Sequence, residues 1–319
     1  MTRMEGSGNA EPPAGDVPGA PGDAPDMPGL VAFINAQHGT TFRLTDRLLH
    51  GKRNVAGLYN ANGARFIVKW SPGIQDLERL AEAVRLVDRL RSRWYPVPRY
   101  TLRGLHPAGR YLVQTGLPGA PLSRLTTSQV VQVIALNEIQ REQATSPSPE
   151  PWPQRIVDDV LEGGDGYCLL DPMRQHSPTT ARLLDLVQNL VARHRSVSMP
   201  TTDVVHGDFQ PNNMLGLSGK ISGVVDWEGA QAGDRTFDLA TVLFYGYDQE
   251  TVRETLWPRV TTMTDPAAVA VYLGHLIHRQ VDWSIRHHDQ ATVDRWLERA
   301  GMVWQEIPQR TGCEAPAWP

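Results

Sequence analysis

The residues best suited to chemistry cluster around two short apolar runs within residues 203–240. Asp208 and Asn213 come at or before the start of the first run, and Asp226 directly follows the second run, residues 223–225. A Ser-Gly turn joins the runs, so the chain returns on itself and Asp226 should lie close to Asn213. A carboxylate and an amide oxygen that converge provide oxygen ligands only, which suits Mg²⁺ rather than zinc. Asp208, five residues before Asn213, should address the same small volume from the other side.

Other polar residues flank the same hairpin and allow simpler interpretations. Asp and Asn also favour turns through local hydrogen bonds, but three such residues around one hairpin are better explained by a shared site. His206 is interpreted as a structural hydrogen-bonding residue rather than a base. Three roles stay open for Glu228: it could bind the metal, form a salt bridge or line a substrate pocket.

The elements that must position this site begin in the N-terminal half. Alternating residues predict three antiparallel strands over 42–70, and Asn62-Gly63 predicts a type I′ hairpin turn between the last two. A short helix ended by Gly39 precedes them, and residues 74–93 have the apolar period of a second helix. Lys69 ends the third strand.

A strand is predicted over 111–117, and the Pro-Gly-Ala-Pro run that follows marks a domain boundary. Mainly helices come afterwards. They are predicted at residues 129–143, 179–197, 237–247, 266–287 and 291–306.

Composition limits the class of protein. The chain has 319 residues, 40% of them hydrophobic, with a net charge of −4 and two cysteines. This suits a globular chain of about two domains and argues against nonspecific nucleic-acid binding. Residues 1–29 are rich in Pro, Gly and Asp and are predicted to be a disordered tail rather than a signal peptide. With no apolar run long enough to span a membrane and no disulfide pattern, a cytoplasmic protein is expected.

The segment HGDFQPNN, residues 206–213, resembles the catalytic loop of the aminoglycoside phosphotransferase and choline kinase family, which shares its fold with protein kinases. This resemblance implies that Asp208 receives the proton of the acceptor hydroxyl and that Asn213 and Asp226 hold Mg²⁺. Residues 233–240 resemble a further family segment, with Arg235 in place of the usual proline. Its Asp238 is expected to brace the catalytic loop.

The resemblance extends to the N-terminal half. Lys69 matches the lysine that pairs with the nucleotide phosphates, and its partner is expected to be Glu82, although Glu78 lies one helical turn earlier on the same face. Gly51 falls where a nucleotide-covering loop should be. Thr115 and Leu117 are expected to make backbone contacts with adenine.

The resemblance implies an α+β, bilobal protein-kinase-like fold. A small antiparallel-sheet lobe would span residues 30–116, a helical lobe 117–310, and a tail 311–319. The expected function is transfer of the γ-phosphoryl group of ATP or GTP, with Mg²⁺, to a hydroxyl of an aminoglycoside-like antibiotic or related metabolite. The acceptor would be small and, for an aminoglycoside, cationic; no nucleic-acid, membrane or obligate protein partner is expected. A choline, homoserine or sugar kinase, a pseudokinase scaffold and a metal-dependent hydrolase are the alternatives.

Residues 275–288 contain four histidines, which are interpreted as ordinary helix positions rather than a metal site. Within this segment Trp283 follows Asp282. The pair leaves two interpretations open, a core tryptophan and an aromatic-carboxylate pair that holds a cation.

Overall fold

Five antiparallel strands form the sheet of the N-terminal lobe. The computed structural model describes residues 26–48, 54–72, 77–146, 148, 150–315 and 317–318. Within them the sheet has the order β1-β2-β3-β5-β4. The strands are β1 (Arg43–Leu48), β2 (Val55–Tyr59), β3 (Arg65–Pro72), β4 (Tyr100–His106) and β5 (Gly109–Thr115). The three strands predicted over 42–70 are confirmed, and edge strand β4 was not predicted because its apolar residues do not alternate regularly.

The turn between β2 and β3 differs from the prediction. Only Gly63 has a positive φ, of 74°, and the Gly63 amide donates to the Asn60 carbonyl at 3.0 Å. This is a type I turn followed by a glycine in the left-handed region, which is the longer common hairpin connection rather than type I′. A type I′ turn does occur between two later strands, at Ser218-Gly219, where both residues have positive φ.

Two helices accompany the sheet. Helix α1 (Met27–His38) packs its apolar residues on one face of the sheet, and it ends at Gly39, as predicted, with φ of 63°. It begins at Met27 because the Asp26 side chain caps it by accepting from the Gly29 amide. Helix α2 (Leu77–Ser92) packs on the other side. Most of its buried residues join the core of the second lobe, so α2 connects the two lobes.

The second lobe is mainly helical and follows β5 along the chain. Its helices are α3 (Thr127–Ile139), α4 (Trp152–Asp158), α5 (Leu170–His176), α6 (Pro178–Arg193), α7 (Thr236–Tyr245), α8 (Glu250–Met263), α9 (Pro266–His287) and α10 (Gln290–Thr311). Its short strands are β6 (Ala120–Pro121), β7 (Asp203–Val205), β8 (Met214–Leu217), β9 (Lys220–Val224) and β10 (Gln231–Gly233). The five predicted helices are present; α4, α5 and α8 were not predicted. In the part of the chain that the structure describes, no helix is long and apolar enough to cross a membrane.

Candidate active site

The loop between β7 and β8 presents the carboxylate of Asp208. One carboxylate oxygen accepts from Gln210 Nε2 at 3.0 Å and from Asn213 Nδ2 at 2.8 Å. The other accepts from Arg279 Nη2 at 2.9 Å. Three donors therefore fix the orientation of the carboxylate, and all of them come from the second lobe. Such a group is held in advance where it can accept a proton from a hydroxyl.

Asp238, in the first turn of α7, holds the backbone of this loop from below. Its oxygens accept from the amides of His206 at 2.8 Å and Gly207 at 3.0 Å, and from Gln140 Nε2 at 2.6 Å. Asp238 is fully buried, and burial raises its pKa to about 6 although the hydrogen bonds oppose this change. The geometry agrees with the bracing role that the sequence predicted for Asp238.

His206 is a structural residue, as the sequence indicated. Its Nδ1 accepts from the Asp208 amide at 3.1 Å, so Nε2 carries the proton and donates to the Val225 carbonyl at 2.8 Å. Both ring nitrogens are used within the loop and the adjoining strand. The ring also packs on buried Trp227, with centroids 4.4 Å apart.

Asn213 and Asp226 are brought together by the β8–β9 hairpin. The amide of Val225 donates to the Asn213 carbonyl at 2.9 Å, which places the residue before Asp226 against Asn213. The Asn213 side-chain nitrogen faces Asp208, so its amide oxygen points away from that carboxylate. Asp226 itself has φ of 69°, a left-handed conformation that turns the chain sharply after β9.

The oxygens of Asn213 and Asp226 are the donor type that Mg²⁺ prefers, so these residues fit the predicted metal. Among the described residues, no three His, Cys, Asp or Glu side chains cluster as a metal site. Mg²⁺ is usually held through one or two protein side chains and takes its other ligands from phosphates and water, so Asn213 and Asp226 would be enough protein ligands.

Lys69 lies at the opposite wall of the cleft, on β3, and reaches into the second lobe. Its ammonium bonds Asp226 and is 2.9 and 3.1 Å from the two carboxylate oxygens of Glu228. Burial alone lowers the pKa of Lys69, but the two carboxylates outweigh burial and raise it above its ordinary value. Of the three roles left open for Glu228, the structure shows the salt bridge, which it forms with Lys69.

Glu82 is buried on α2, but the Lys69–Glu82 pair is not formed in this structure. One Glu82 carboxylate oxygen is buried without a hydrogen-bond partner. Burial raises the pKa of this carboxyl against the attraction of Arg85 and Arg79. Glu78, the alternative, is exposed. The pair is missing because Lys69 bonds Asp226 and Glu228 instead. Two carboxylates attract the ammonium more strongly than the single carboxylate of Glu82 would.

The strand that connects the lobes ends at the residues predicted to meet adenine. The Thr115 amide donates to the Arg99 carbonyl, and its hydroxyl accepts from the Arg99 amide, both at 2.9 Å. The Leu117 side chain lies close to Gly223 of β9. A Cβ atom at position 223 would be only 2.8 Å from Leu117 Cδ1, so the contact requires glycine there. Leu117 therefore lies against the hairpin that leads to Asp226, whereas Thr115 is bonded to the residue before β4. Gly51 lies outside the described residues.

A cavity of about 130 Å³ opens at Asp208 and is lined partly by residues that the sequence did not single out. Arg279 on α9 donates to the Gly207 carbonyl at 2.6 Å as well as to Asp208, and it lies over the Tyr167 ring. Arg155 on α4 also lines the cavity. No local pattern marks either arginine, because each reaches the site only through the packing of distant helices.

The family assignment follows from comparison with known proteins. The model of the phosphotransferase enzyme family (APH) matches residues 51–272, about 70% of the chain. This chain belongs to that family. The predicted enzyme class, a phosphotransferase with an alcohol group as acceptor, is confirmed by this membership. A shorter match, 40% identical over 42 residues, links the chain to hygromycin-B 4-O-kinase from Escherichia coli, and it spans only 12% of that relative.

Solved structures of kinases share the fold. The aminoglycoside phosphotransferase APH(4)-Ia, in a thermostable mutant with ADP and hygromycin B, is 16% identical, with a TM-score of 0.59 over 90% of this chain and 99% of that one. Choline kinase LicA from Streptococcus pneumoniae is 14% identical, with a TM-score of 0.61 over 88% and 98%. The predicted bilobal protein-kinase-like fold is confirmed.

The histidine-rich helix of this phosphotransferase has structural contacts. His275 Nε2 lies 3.0 Å from an Asp159 oxygen, and His278 Nε2 lies 3.3 Å from the Leu169 carbonyl. Asp282 and Trp283 do hold a cation, and that cation is the side chain of Arg286 on the same helix. Arg286 pairs with buried Asp282 at 2.9 Å and lies 5.4 Å from the centre of the Trp283 ring.

Proposed function

We propose that this protein transfers the γ-phosphoryl group of ATP to a hydroxyl of a small molecule, an aminoglycoside-like antibiotic or a related metabolite. The observation that carries the proposal is the fixed carboxylate of Asp208, which shares one loop with Asn213 and borders the cavity. The solved relatives in complex with ADP or AMP-PNP and a small acceptor support the same activity.

In the proposed reaction the acceptor oxygen forms a bond to the γ-phosphorus while the bond from that phosphorus to the β–γ bridging oxygen breaks. ADP leaves with the bridging oxygen, and the hydroxyl proton passes to Asp208. Because Arg279, Gln210 and Asn213 hold the carboxylate in place, the acceptor hydroxyl meets a base that does not have to reorient. Positioning of this kind supplies much of the rate in phosphoryl transfer.

Lys69 is the proposed cation for the α and β phosphates. Its two carboxylate partners are in the second lobe, so a bound triphosphate competes with Asp226 and Glu228 for the same ammonium. Glu82 is the group proposed to pair with Lys69 once those carboxylates are released. Thr115, through its carbonyl, and Leu117, through its amide, are proposed to hold the purine.

Asn213 and Asp226 would hold Mg²⁺ through their side-chain oxygens. When bound, the ion shields the negative charge of the phosphates and so favours attack by a neutral hydroxyl. Asp226 would have to leave Lys69 before its carboxylate could bind Mg²⁺.

The test is acceptor-dependent formation of ADP, measured with hygromycin B, other aminoglycosides, choline, homoserine and sugars. We expect turnover that requires Mg²⁺ and Asp208. Nucleotide binding without transfer to any acceptor would favour a pseudokinase scaffold, and release of phosphate from esters without nucleotide would favour a hydrolase.

A further inference from the structure

The cavity at Asp208 is walled by α4, by the turn that follows it and by α9. Its volume of about 130 Å³ is well below the roughly 300–1,000 Å³ that is typical for drug-sized ligands. A whole antibiotic of several sugar rings exceeds this space. The cavity therefore accommodates a small molecule, and its charges indicate which kind.

Two guanidinium groups line the cavity together with three carboxylates, those of Asp159, Asp208 and Asp226. The two guanidinium groups differ in their partners. Arg279 has the carboxylate of Asp208 as its counter-ion. Arg155 donates to Gln231 Oε1 at 2.8 Å and to the Tyr167 hydroxyl at 2.5 Å, both of them neutral groups. Among the residues that the structure describes, Arg155 forms no ion pair.

A half-buried guanidinium without a carboxylate at contact distance is costly, and two neutral acceptors satisfy only part of its five N–H donors. The remaining donors suit a planar oxyanion, which binds arginine with two parallel hydrogen bonds. Gln231 and Tyr167 fix the guanidinium in place, so an incoming anion meets a preorganised group. Asp159, in the same lining, attracts Arg155 but forms no ion pair with it, so Arg155 keeps donors available for a ligand.

The opposite wall contains buried His275, whose Nε2 donates to Asp159. Its Nδ1 has no hydrogen-bond partner and almost no accessible surface, so this nitrogen is not open to a ligand in the cavity.

We propose that the acceptor is a small hydroxylated carboxylic acid whose carboxylate binds Arg155 while its hydroxyl lies at Asp208. This selects a small metabolite over an aminoglycoside-like antibiotic as the acceptor, and it rests on the proposed phosphotransfer.

The first experiment compares acceptors that differ only in the carboxylate. The pairs are L-homoserine with 3-amino-1-propanol, and D-glycerate with glycerol; hygromycin B and choline serve as cationic references. ADP formation is measured for each. We expect kcat/KM to be about 10- to 100-fold higher for the acid of at least one pair, which is the usual effect of one charge-assisted hydrogen-bonding group.

The second experiment removes the charge. Arg155→Met should raise KM for the favoured acid about tenfold or more and leave kcat and the KM for ATP nearly unchanged. Arg155→Lys should restore part of the affinity, and Arg195→Met, at an exposed position on the second lobe, should match the parent protein. Thermal unfolding verifies that each variant is folded.

Several outcomes overturn the inference. If hygromycin B or choline is phosphorylated and neither acid is, the inference is wrong but the kinase function stands. The same holds if glycerol 3-phosphate is preferred over both members of each pair. An equal loss of activity toward the acid and the neutral member in Arg155→Met assigns Arg155 a structural role. No transfer to any acceptor, despite binding of MgATP, overturns the proposed phosphotransfer together with the inference.

Discussion

The two walls of the cleft are built in different ways. Asp208 has all three of its side-chain donors in the second lobe, and its loop is bonded to buried Asp238 in the same lobe. Lys69, on the first lobe, has its carboxylate partners in the other lobe, while Glu82 on its own side keeps a buried oxygen without a partner. The proposed catalytic wall is therefore complete within one lobe, whereas the proposed phosphate-binding wall depends on how the lobes meet.

This difference indicates which wall responds to substrate. Bonds within one lobe persist when the lobes shift, because their partners move together. The bonds of Lys69 cross the cleft to Asp226 and Glu228, which lie 157 and 159 residues later in the sequence. Phosphates and a divalent cation compete for these groups, so nucleotide binding should change the partners of Lys69 and leave those of Asp208 unchanged.

The largest expected effect tests the catalytic wall. Asp208→Asn should lower turnover by about 10²–10⁴, the usual loss on removing a general base, while binding of MgATP stays close to that of the parent protein. Steady-state ADP formation and calorimetric titration of MgATP check this. Asp171→Asn, at an exposed position on α5, is the control. Parent-like turnover by Asp208→Asn would remove Asp208 from the mechanism.

The next effect concerns the support of that wall. Because the pKa of Asp238 is about 6 in the folded protein and near 3.8 in the unfolded chain, the native state binds the proton more tightly. The stability gained from this proton is present in full below pH 3.8 and is lost as pH rises through 6, by about 3 kcal/mol. Asp238→Asn should lack this contribution to the pH dependence. Denaturant unfolding of both proteins between pH 4 and 7 measures it, and parallel curves would contradict the assignment.

A smaller effect is expected at the wall shared between the lobes. Asp226→Ala should weaken binding of MgATP about tenfold or more, because the variant lacks a charged oxygen ligand. Glu228→Gln should weaken it less, since both proposed metal ligands stay in place and one carboxylate that competes with the phosphates for Lys69 is removed. Titration of ATP with and without Mg²⁺ separates the two. If Glu228→Gln loses more of the Mg²⁺ dependence than Asp226→Ala, the metal ligand is Glu228.

The smallest effect distinguishes the two glutamates of α2. Glu82→Gln should lower turnover several-fold if Glu82 pairs with Lys69 in the nucleotide complex, and it should leave the free energy of unfolding within about 0.5 kcal/mol or raise it, because an unpaired buried carboxyl is removed. Glu78→Gln, at an exposed position, should change neither quantity. Kinetics with the opposite ranking would assign the pair to Glu78.

Short-range patterns in the sequence determined much of this protein. The β8–β9 hairpin, the spacing of Asp208 and Asn213, the helical stripe of α2 and the Gly39 end of α1 all depend on neighbours within a few residues, and the structure contains each of them. Even at this range the Asn62-Gly63 turn took a different type. Several turn types use glycine at that position, and the hairpin connection as a whole selects among them.

Only the tertiary structure decided the contacts that cross the molecule. Arg279 reaches Asp208 from a helix 71 residues later, Arg155 lines the same cavity from α4, and Lys69 takes Asp226 and Glu228 in place of Glu82. A charged side chain pairs with the carboxylate that packing brings nearest, and sequence spacing does not encode that distance. The loop that carries Asp208 could be predicted from the sequence because the bonds among residues 206–213 are local. The charges around it could not, because their contacts are set by the packing of helices and lobes.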